Sequence, residues 1–176
     1  MIRIISGKFG SRSIETPHGN KTHPMSEKMR GAIFNALGDI SDLDVLDAYA
    51  GSGAVGIEAL SRGAKFVYFV EKDRVGANTT KKNIETLGIK DEVKLTQANI
   101  SSWLETNQDR TFDVIIADPP YDKVNVNVFE KLAEILTENG TLVLSLPPGQ
   151  SEEVEGLKIV KSKSYGDSKI VFLKRA

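Results

Sequence analysis

Apolar and polar positions follow two alternating periods along the chain. Short apolar runs at Val45–Tyr49, Phe66–Val70, Val93–Gln97, Phe112–Ala117 and Thr141–Leu146 have the length and β-branched content of buried strands. Helical patterns separate them. Ser26 is placed to cap a helix over Glu27–Leu37, on which Met29, Ala32, Ile33, Ala36 and Leu37 share one face and Arg30 and Phe34 a neighbouring one. Further helices are predicted at Ala54–Arg62, at Asp73–Leu87 closed by Gly88, and at Ser101–Glu105, with Trp103 half-buried against the sheet. A last helix carries Phe129, Leu132, Ala133 and Leu136 as an i, i+3, i+4, i+7 stripe and ends at Asn139-Gly140. Strands and helices in alternation predict a parallel sheet covered on both faces. Two more β-rich runs, Leu157–Lys163 and Lys169–Leu173, flank Gly166-Asp167 and read as a closing hairpin. The expected fold is therefore α/β, a mostly parallel seven-stranded sheet with an antiparallel last strand. Residues 1–22 stand apart as a small strand pair or basic arm, ahead of one compact unit over 23–176.

Composition narrows the chemistry. A chain of 176 residues, 40% of them hydrophobic, suits one core. The first thirty residues hold Arg3, Lys8, Arg12, Lys21, Lys28 and Arg30 against Glu15 and Glu27, a charge of +4 that leaves −5 for the remainder. That asymmetry suits a polyanion at the amino end. With no cysteine, disulfides, thiolate metal sites and a Cys nucleophile are excluded. His18 and His23 are the only histidines and lie in a loop without spaced carboxylates, so no metal site is expected. Neither a signal peptide nor an apolar run of membrane-spanning length is evident, which leads to the expectation of a cytoplasmic protein.

Two stretches carry the candidate chemistry. In Asp44–Leu60 a strand runs into Gly51-Ser52-Gly53-Ala54-Val55-Gly56 and then into a helix, the G-x-G-x-x-G pattern of a dinucleotide or nucleoside turn. Glu71, 20 residues past Gly51, ends the next strand, where a carboxylate holds ribose hydroxyls; beside it stands Lys72. Asp47, ahead of the glycines, and the tetrapeptide Asp118-Pro119-Pro120-Tyr121 move the reading from a nicotinamide cofactor to S-adenosylmethionine (SAM). On that reading Asp47 orders the SAM ammonium, or else caps the turn. Asn99 meets the adenine amine, or else caps a helix, and Ile100 packs on the ring. Asp118 and the Pro119 carbonyl accept the two N–H groups of an exocyclic amine, which is otherwise a poor nucleophile. Pro120 stiffens the loop and Tyr121 offers a stacking face. Ligands of such a sheet gather at the carboxyl ends of its strands, where Asp47 to Gly51, Glu71, Asn99 and Asp118 to Tyr121 all fall.

With these residues in place, the chain resembles the Rossmann-like SAM-dependent methyltransferases, and most closely the RsmD family, which methylates guanine N2 in bacterial 16S ribosomal RNA. Arg3-Ile4-Ile5-Ser6-Gly7-Lys8 and Arg12 match that family's opening arm, and Phe34-Asn35 its first helix. Asp47-Ala48-Tyr49-Ala50-Gly51-Ser52-Gly53 and Glu58-Ala59-Leu60-Ser61-Arg62-Gly63 match its cofactor turn and helix. Asp118–Tyr121 and Tyr165-Gly166-Asp167 complete the resemblance. It departs at His23, Met25 and Gly31, in a segment expected to close over the cofactor and meet RNA. The resemblance implies SAM as cofactor, held by Asp47, Tyr49, Ala50, Gly51, Ser52, Gly53, Gly56, Glu71, Lys72, Asn99, Ile100 and Asp118. It implies 16S rRNA or an assembling small subunit as partner, met by Arg3, Lys8, Arg12, His23, Lys28 and Arg30. No membrane, no metal and a monomer are expected. Competing readings are an adenine-N6 methyltransferase, a SAM-binding assembly factor without turnover, and a nucleotide-dependent oxidoreductase.

Overall fold

The computed structural model describes residues 1–19 and 24–176; His23, a candidate RNA contact, and the neighbouring Asn20 and Lys21 lie outside the described residues. The amino-terminal arm forms a strand pair, β1 (Ile2–Arg3) antiparallel to β2 (Ser13–Ile14). Helix α1 (Glu27–Leu37) follows, its first turn closed by the Ser26 hydroxyl accepting the Met29 N–H at 3.1 Å. The chain then alternates: β3 (Asp44–Asp47), α2 (Ala54–Ser61), β4 (Phe66–Glu71), α3 (Arg74–Leu87), β5 (Val93–Gln97), α4 (Ile100–Glu105), β6 (Phe112–Ala117), α5 (Val126–Glu134) and β7 (Leu136–Leu146). It closes with β8 (Leu157–Tyr165) and β9 (Ser168–Arg175).

These last seven strands form one sheet in the order β5-β4-β3-β6-β7-β9-β8. The first five run parallel, and β9 lies antiparallel between β7 and β8. That is the expected topology. Two apolar layers cover the sheet. One gathers Phe34, Ile57, Leu60, Phe69, Ile84 and Phe172, and takes in Ile4 and Ile14 from the arm. The other gathers Trp103, Phe112, Phe129, Leu132 and Leu173.

Three local expectations are corrected. Helix α5 ends at Glu134, and Leu136 opens β7 instead of closing the helical stripe. The cause is Phe112, whose N–H donates to Ile135 O at 2.9 Å and which pairs with Leu136; the register then shifts before Val114 meets Thr141. On α1 the buried face is Arg30, Ile33 and Phe34, and Ala36 is exposed. A buried carboxylate facing Arg30 draws that side inward. Trp103 is only 5% exposed, tilted against Phe112 with ring centroids 6.2 Å apart.

Candidate active site

Because β3, β4, β5, β6 and β7 run parallel, their carboxyl ends share one rim, and backbone bonds lace the loops that leave it. Ala48 N–H donates to Ile116 O, Ala50 N–H to Val70 O and Ala98 N–H to Glu71 O, each at 3.0 Å. Asp47 to Gly53, Glu71, Asn99 and Asp118 to Tyr121 are thereby brought to one rim.

The glycine turn does three different things. Gly51 and Gly53 adopt φ of +57° and +81°, left-handed values that bend the strand into the helix. A side chain at Gly51 would meet nothing within 4 Å, so the turn faces open space. At Gly56, in contrast, a Cβ would stand 2.3 Å from Phe69 Cε1, and the missing side chain is what lets α2 lie on the sheet. Asp47, 3% exposed, accepts the Gly56 N–H at 2.9 Å, so it does cap the turn from below. Burial pushes its pKa up to about 7; Gly56 N–H pulls it down, the charges of Glu71 and Asp118 raise it further, and Tyr49 N–H opposes them. Glu71 accepts the Gly51 N–H at 2.6 Å and the Asp73 N–H at 2.8 Å. A carboxylate offers about four acceptor directions, so two remain for a ribose diol.

The charges of Glu71 and Asp118 both reach Asp47 and make this part of the rim acidic, which suits the ammonium and sulfonium charges of SAM. The open space over Gly51 and the free lone pairs of Glu71 fit the same molecule. Tyr49 is half-buried beside the turn, and burial pushes its pKa up to about 12, so its hydroxyl stays protonated. Ser52 is buried and its hydroxyl accepts the Ala54 N–H at 3.3 Å. Ala50 and Ile100 are buried, while Lys72 is exposed and forms no ion pair with Glu71. Asn99 caps α4, its side-chain oxygen accepting the Ser101 N–H at 2.8 Å.

Helix α3 braces this turn through residues that the sequence reading passed over. Thr80 Oγ1 donates to Gly51 O at 2.8 Å and Asn83 Nδ2 to Ser52 O at 2.9 Å, both side chains at most 2% exposed. Asn83 also holds the arm, accepting the Glu15 N–H at 2.8 Å and donating to Glu15 O at 3.0 Å. The signal was there to read: Gly76, Thr80 and Asn83 fall at i, i+4 and i+7 inside the apolar stripe of Ala77, Ile84 and Leu87.

Across the cleft, Asp118 leaves β6 half-buried, and loss of solvent raises its pKa, opposed by a hydrogen bond from Ser145. Pro119 is buried and Pro120 opens a single 3₁₀ turn, Tyr121–Lys123. The Tyr121 hydroxyl lies 2.7 Å from Ser145 Oγ while 36% of the residue stays exposed. Ser145, 1% exposed at the end of β7, thus holds the last residue of the tetrapeptide and was not singled out by the sequence.

The arm is fastened by α2. Glu58, fully buried, accepts the Ile5 N–H at 2.8 Å and the Ser6 N–H at 3.1 Å, and pairs with Arg62 at 2.8 Å and Arg30 at 3.6 Å. Ser61 accepts the Phe9 N–H at 2.9 Å, and a Cβ on Gly7 would overlap Ser61 O at 1.7 Å. The motifs Arg3–Lys8 and Glu58–Gly63 are therefore two halves of one joint. Arg30 is corrected as an RNA contact: it is 1% exposed, faces Glu58 and donates to the Met25 and Arg3 carbonyls. Arg3 pairs with Glu27 and Lys8 with Glu92, both at the surface, and Arg12 and Lys28 are exposed. No cluster able to hold a metal ion exists among the described residues, and no helix among them is long and apolar enough to cross a membrane.

Comparison with known proteins gives the family and the fold. The family model described as Conserved hypothetical protein 95 matches residues 2–174. A Haemophilus influenzae protein named ribosomal RNA small subunit methyltransferase D is 34% identical over 80% of this chain and 73% of its own length. The Escherichia coli protein of the same name is 32% identical over 80% of this chain and 69% of its own. Among solved structures, an Escherichia coli protein described as a candidate methyltransferase superposes with TM-score 0.87 at 26% identity, covering 99% of this chain and 97% of that one. A Thermus thermophilus hypothetical protein reaches 0.85 at 26% identity over 99% of both chains. Sequence, fold and the two loops that meet at one rim lead to the same place: the chain belongs to the RsmD family of Rossmann-like, SAM-dependent methyltransferases.

Proposed function

We propose that this protein transfers the methyl group of SAM to the exocyclic N2 amine of a guanine in 16S ribosomal RNA, working as a single chain on free RNA or an assembling small subunit. The observation that carries the reading is that β3 and β6 pair in parallel, Asp47 opposite Ile116, so that Asp118 leaves the sheet beside the glycine turn that holds Asp47 and Glu71. The relatives' names supply the ribosomal RNA, and the amine follows from the chemistry of the tetrapeptide.

SAM, when bound, supplies a methyl group already activated on a positive sulfur. The protein's task is placement. Asp47 orders the ammonium; Gly51 and Gly53 let the backbone pass close beneath; Glu71 takes the ribose hydroxyls; Asn99 and Ile100 border the adenine. On the acceptor side a guanine turned out of its stack rests on Tyr121. Asp118 and the Pro119 carbonyl each accept one N–H of its amine, which draws the nitrogen lone pair out of the ring and steadies the positive charge formed as N–C bonding replaces S–C bonding. The extra proton then leaves to Asp118 or to solvent.

Asp-Pro-Pro-Tyr also suits adenine N6, so the acceptor is what the experiment must identify. Labelled methyl is offered with cell RNA, DNA and small ribosomal subunits, and the modified nucleoside is isolated. N2-methylguanosine in 16S RNA is expected. N6-methyladenine would replace the guanine reading, and binding of NADH without SAM would overturn methyl transfer altogether.

A further inference from the structure

The outer edge of the sheet carries four exposed lysines, Lys158, Lys161 and Lys163 on β8 and Lys174 on β9. Simple alternation would send Lys158 to the face opposite Lys161 and Lys163. It does not. Ile159 pairs with Leu173 and Lys161 with Phe172, leaving Val160 as the extra residue of a bulge. Lys158, Lys161 and Lys163 then pair with Lys174, Phe172 and Ile170, so all four ammonium-bearing chains leave the same face of the sheet. None of the four has a carboxylate partner among the described residues, whereas Lys169, on the other face, is neutralised by Glu152. Lysines on an edge strand also deter pairing with other strands, but alternating faces would serve that end equally well.

The register ties this row to the acceptor loop. Lys163 pairs with Ile170, and Ile170 with Ser145, whose hydroxyl meets Tyr121. At roughly 4.8 Å per strand, the Lys163 backbone stands about 10 Å from that of Ser145 and on the same face. β8 runs in the direction of β7, so its carboxyl end, with Lys163 and the half-buried Tyr165 beneath its ammonium, reaches the same rim as Asp118. A positive row that begins beside the acceptor loop and runs away along the edge has the polarity and direction of a strand of phosphates.

We infer that Lys161 and Lys163, turned to one face by the Val160 bulge, hold the sugar-phosphate backbone flanking the target nucleotide. The inference rests on the RNA reading above and adds a second contact, on a different element from the amino-terminal arm. It implies that the substrate spans the acceptor side of the rim from Tyr121 to β8.

The test uses the full chain with 16S transcript and with methyl-deficient small subunits, comparing wild type and Lys161→Ser/Lys163→Ser. The substitutions are exposed, so SAM affinity and melting temperature are expected to stay unchanged. The KM for RNA should rise about tenfold at near-constant kcat, and the slope of log affinity against log salt should fall by about 1 to 2. Lys158→Ser/Lys174→Ser, farther from the rim, should have a smaller effect. Wild-type methylation of RNA with unchanged KM and salt slope in the double variant would overturn this inference while leaving the activity standing. Failure of the wild type to methylate any RNA would instead overturn the activity. A concentration-dependent dimer that the double variant alters, with RNA affinity untouched, would assign the edge to a second copy of the chain and likewise overturn the inference.

Discussion

Tyr121 and Ser145 meet hydroxyl to hydroxyl at 2.7 Å, from opposite sides of the β6–β7 pair of strand ends. Ser145, buried at the end of β7, thereby holds the ring proposed as the stacking face, three residues past Asp118. Ser145→Ala and Tyr121→Phe should each lower turnover about fivefold, the worth of one hydrogen bond of ~1 kcal/mol, with SAM affinity unchanged. The double variant should lose little more than either single one. Fully multiplicative losses would show that the two hydroxyls act separately.

With Asp47 at the SAM ammonium, as proposed, SAM binding is expected to depend on pH. Its pKa of about 7 means that the carboxyl is largely protonated at pH 6 in the free protein, whereas a bound ammonium favours the ionised form. Affinity for SAM, followed by calorimetry, should rise from pH 6 to 8, level off above and release protons below pH 7. The sign for folding is opposite: the folded pKa is raised above the usual 3.8, so this group lowers stability progressively from about pH 4 to pH 7. Asp47→Asn should therefore weaken SAM binding, flatten its pH profile and raise the melting temperature at pH 8 more than at pH 5. A wild-type affinity that is constant from pH 6 to 8 would contradict the assignment.

Glu58 is the anchor of the arm. It is fully buried between Arg30 and Arg62 and accepts two arm amides, so its loss leaves Arg30 uncompensated in the core. Glu58→Ala should cost about 3 to 5 kcal/mol in denaturant unfolding and expose the first fifteen residues to proteolysis. A loss below about 1 kcal/mol would mean that apolar packing of Ile4 and Ile14 holds the arm by itself.

Much of this molecule was legible in the chain because its signals are local. The strand-and-helix rhythm predicted parallel strands, though not their order, and the three glycines with Asp118–Tyr121 marked two loops that parallel strands bring to one rim. What stayed hidden depends on partners far apart in sequence. Arg30 looks like a surface cation until Glu58, 28 residues on, is placed against it. Leu136 fits a helical stripe until Phe112 claims it as a strand partner. Ser145 is an ordinary polar residue whose burial is decided by tertiary packing, and Thr80 and Asn83, though inside a helical apolar stripe, show their role only once Gly51 and Ser52 are placed against them. The direction of the β8 lysines turns on a one-residue bulge that no period reveals.

Gly56 tests how closely the turn must sit on the sheet. A methyl group there would stand 2.3 Å from Phe69 Cε1 and 2.8 Å from Val67 Cγ1, both on β4. Gly56→Ala should destabilise by about 1 to 3 kcal/mol and weaken SAM binding by moving Gly51 and Gly53. Unchanged stability would mean that Phe69 has room to turn aside.

The central claim is that acceptor and donor groups occupy separate halves of one cleft, and Asp118→Ala tests it most directly. SAM affinity by titration and methyl transfer to RNA are measured on the same preparation. The account predicts a loss of transfer of about 10² to 10⁴ with SAM affinity within a few-fold of wild type. Parallel loss of both, or transfer that survives, would contradict it.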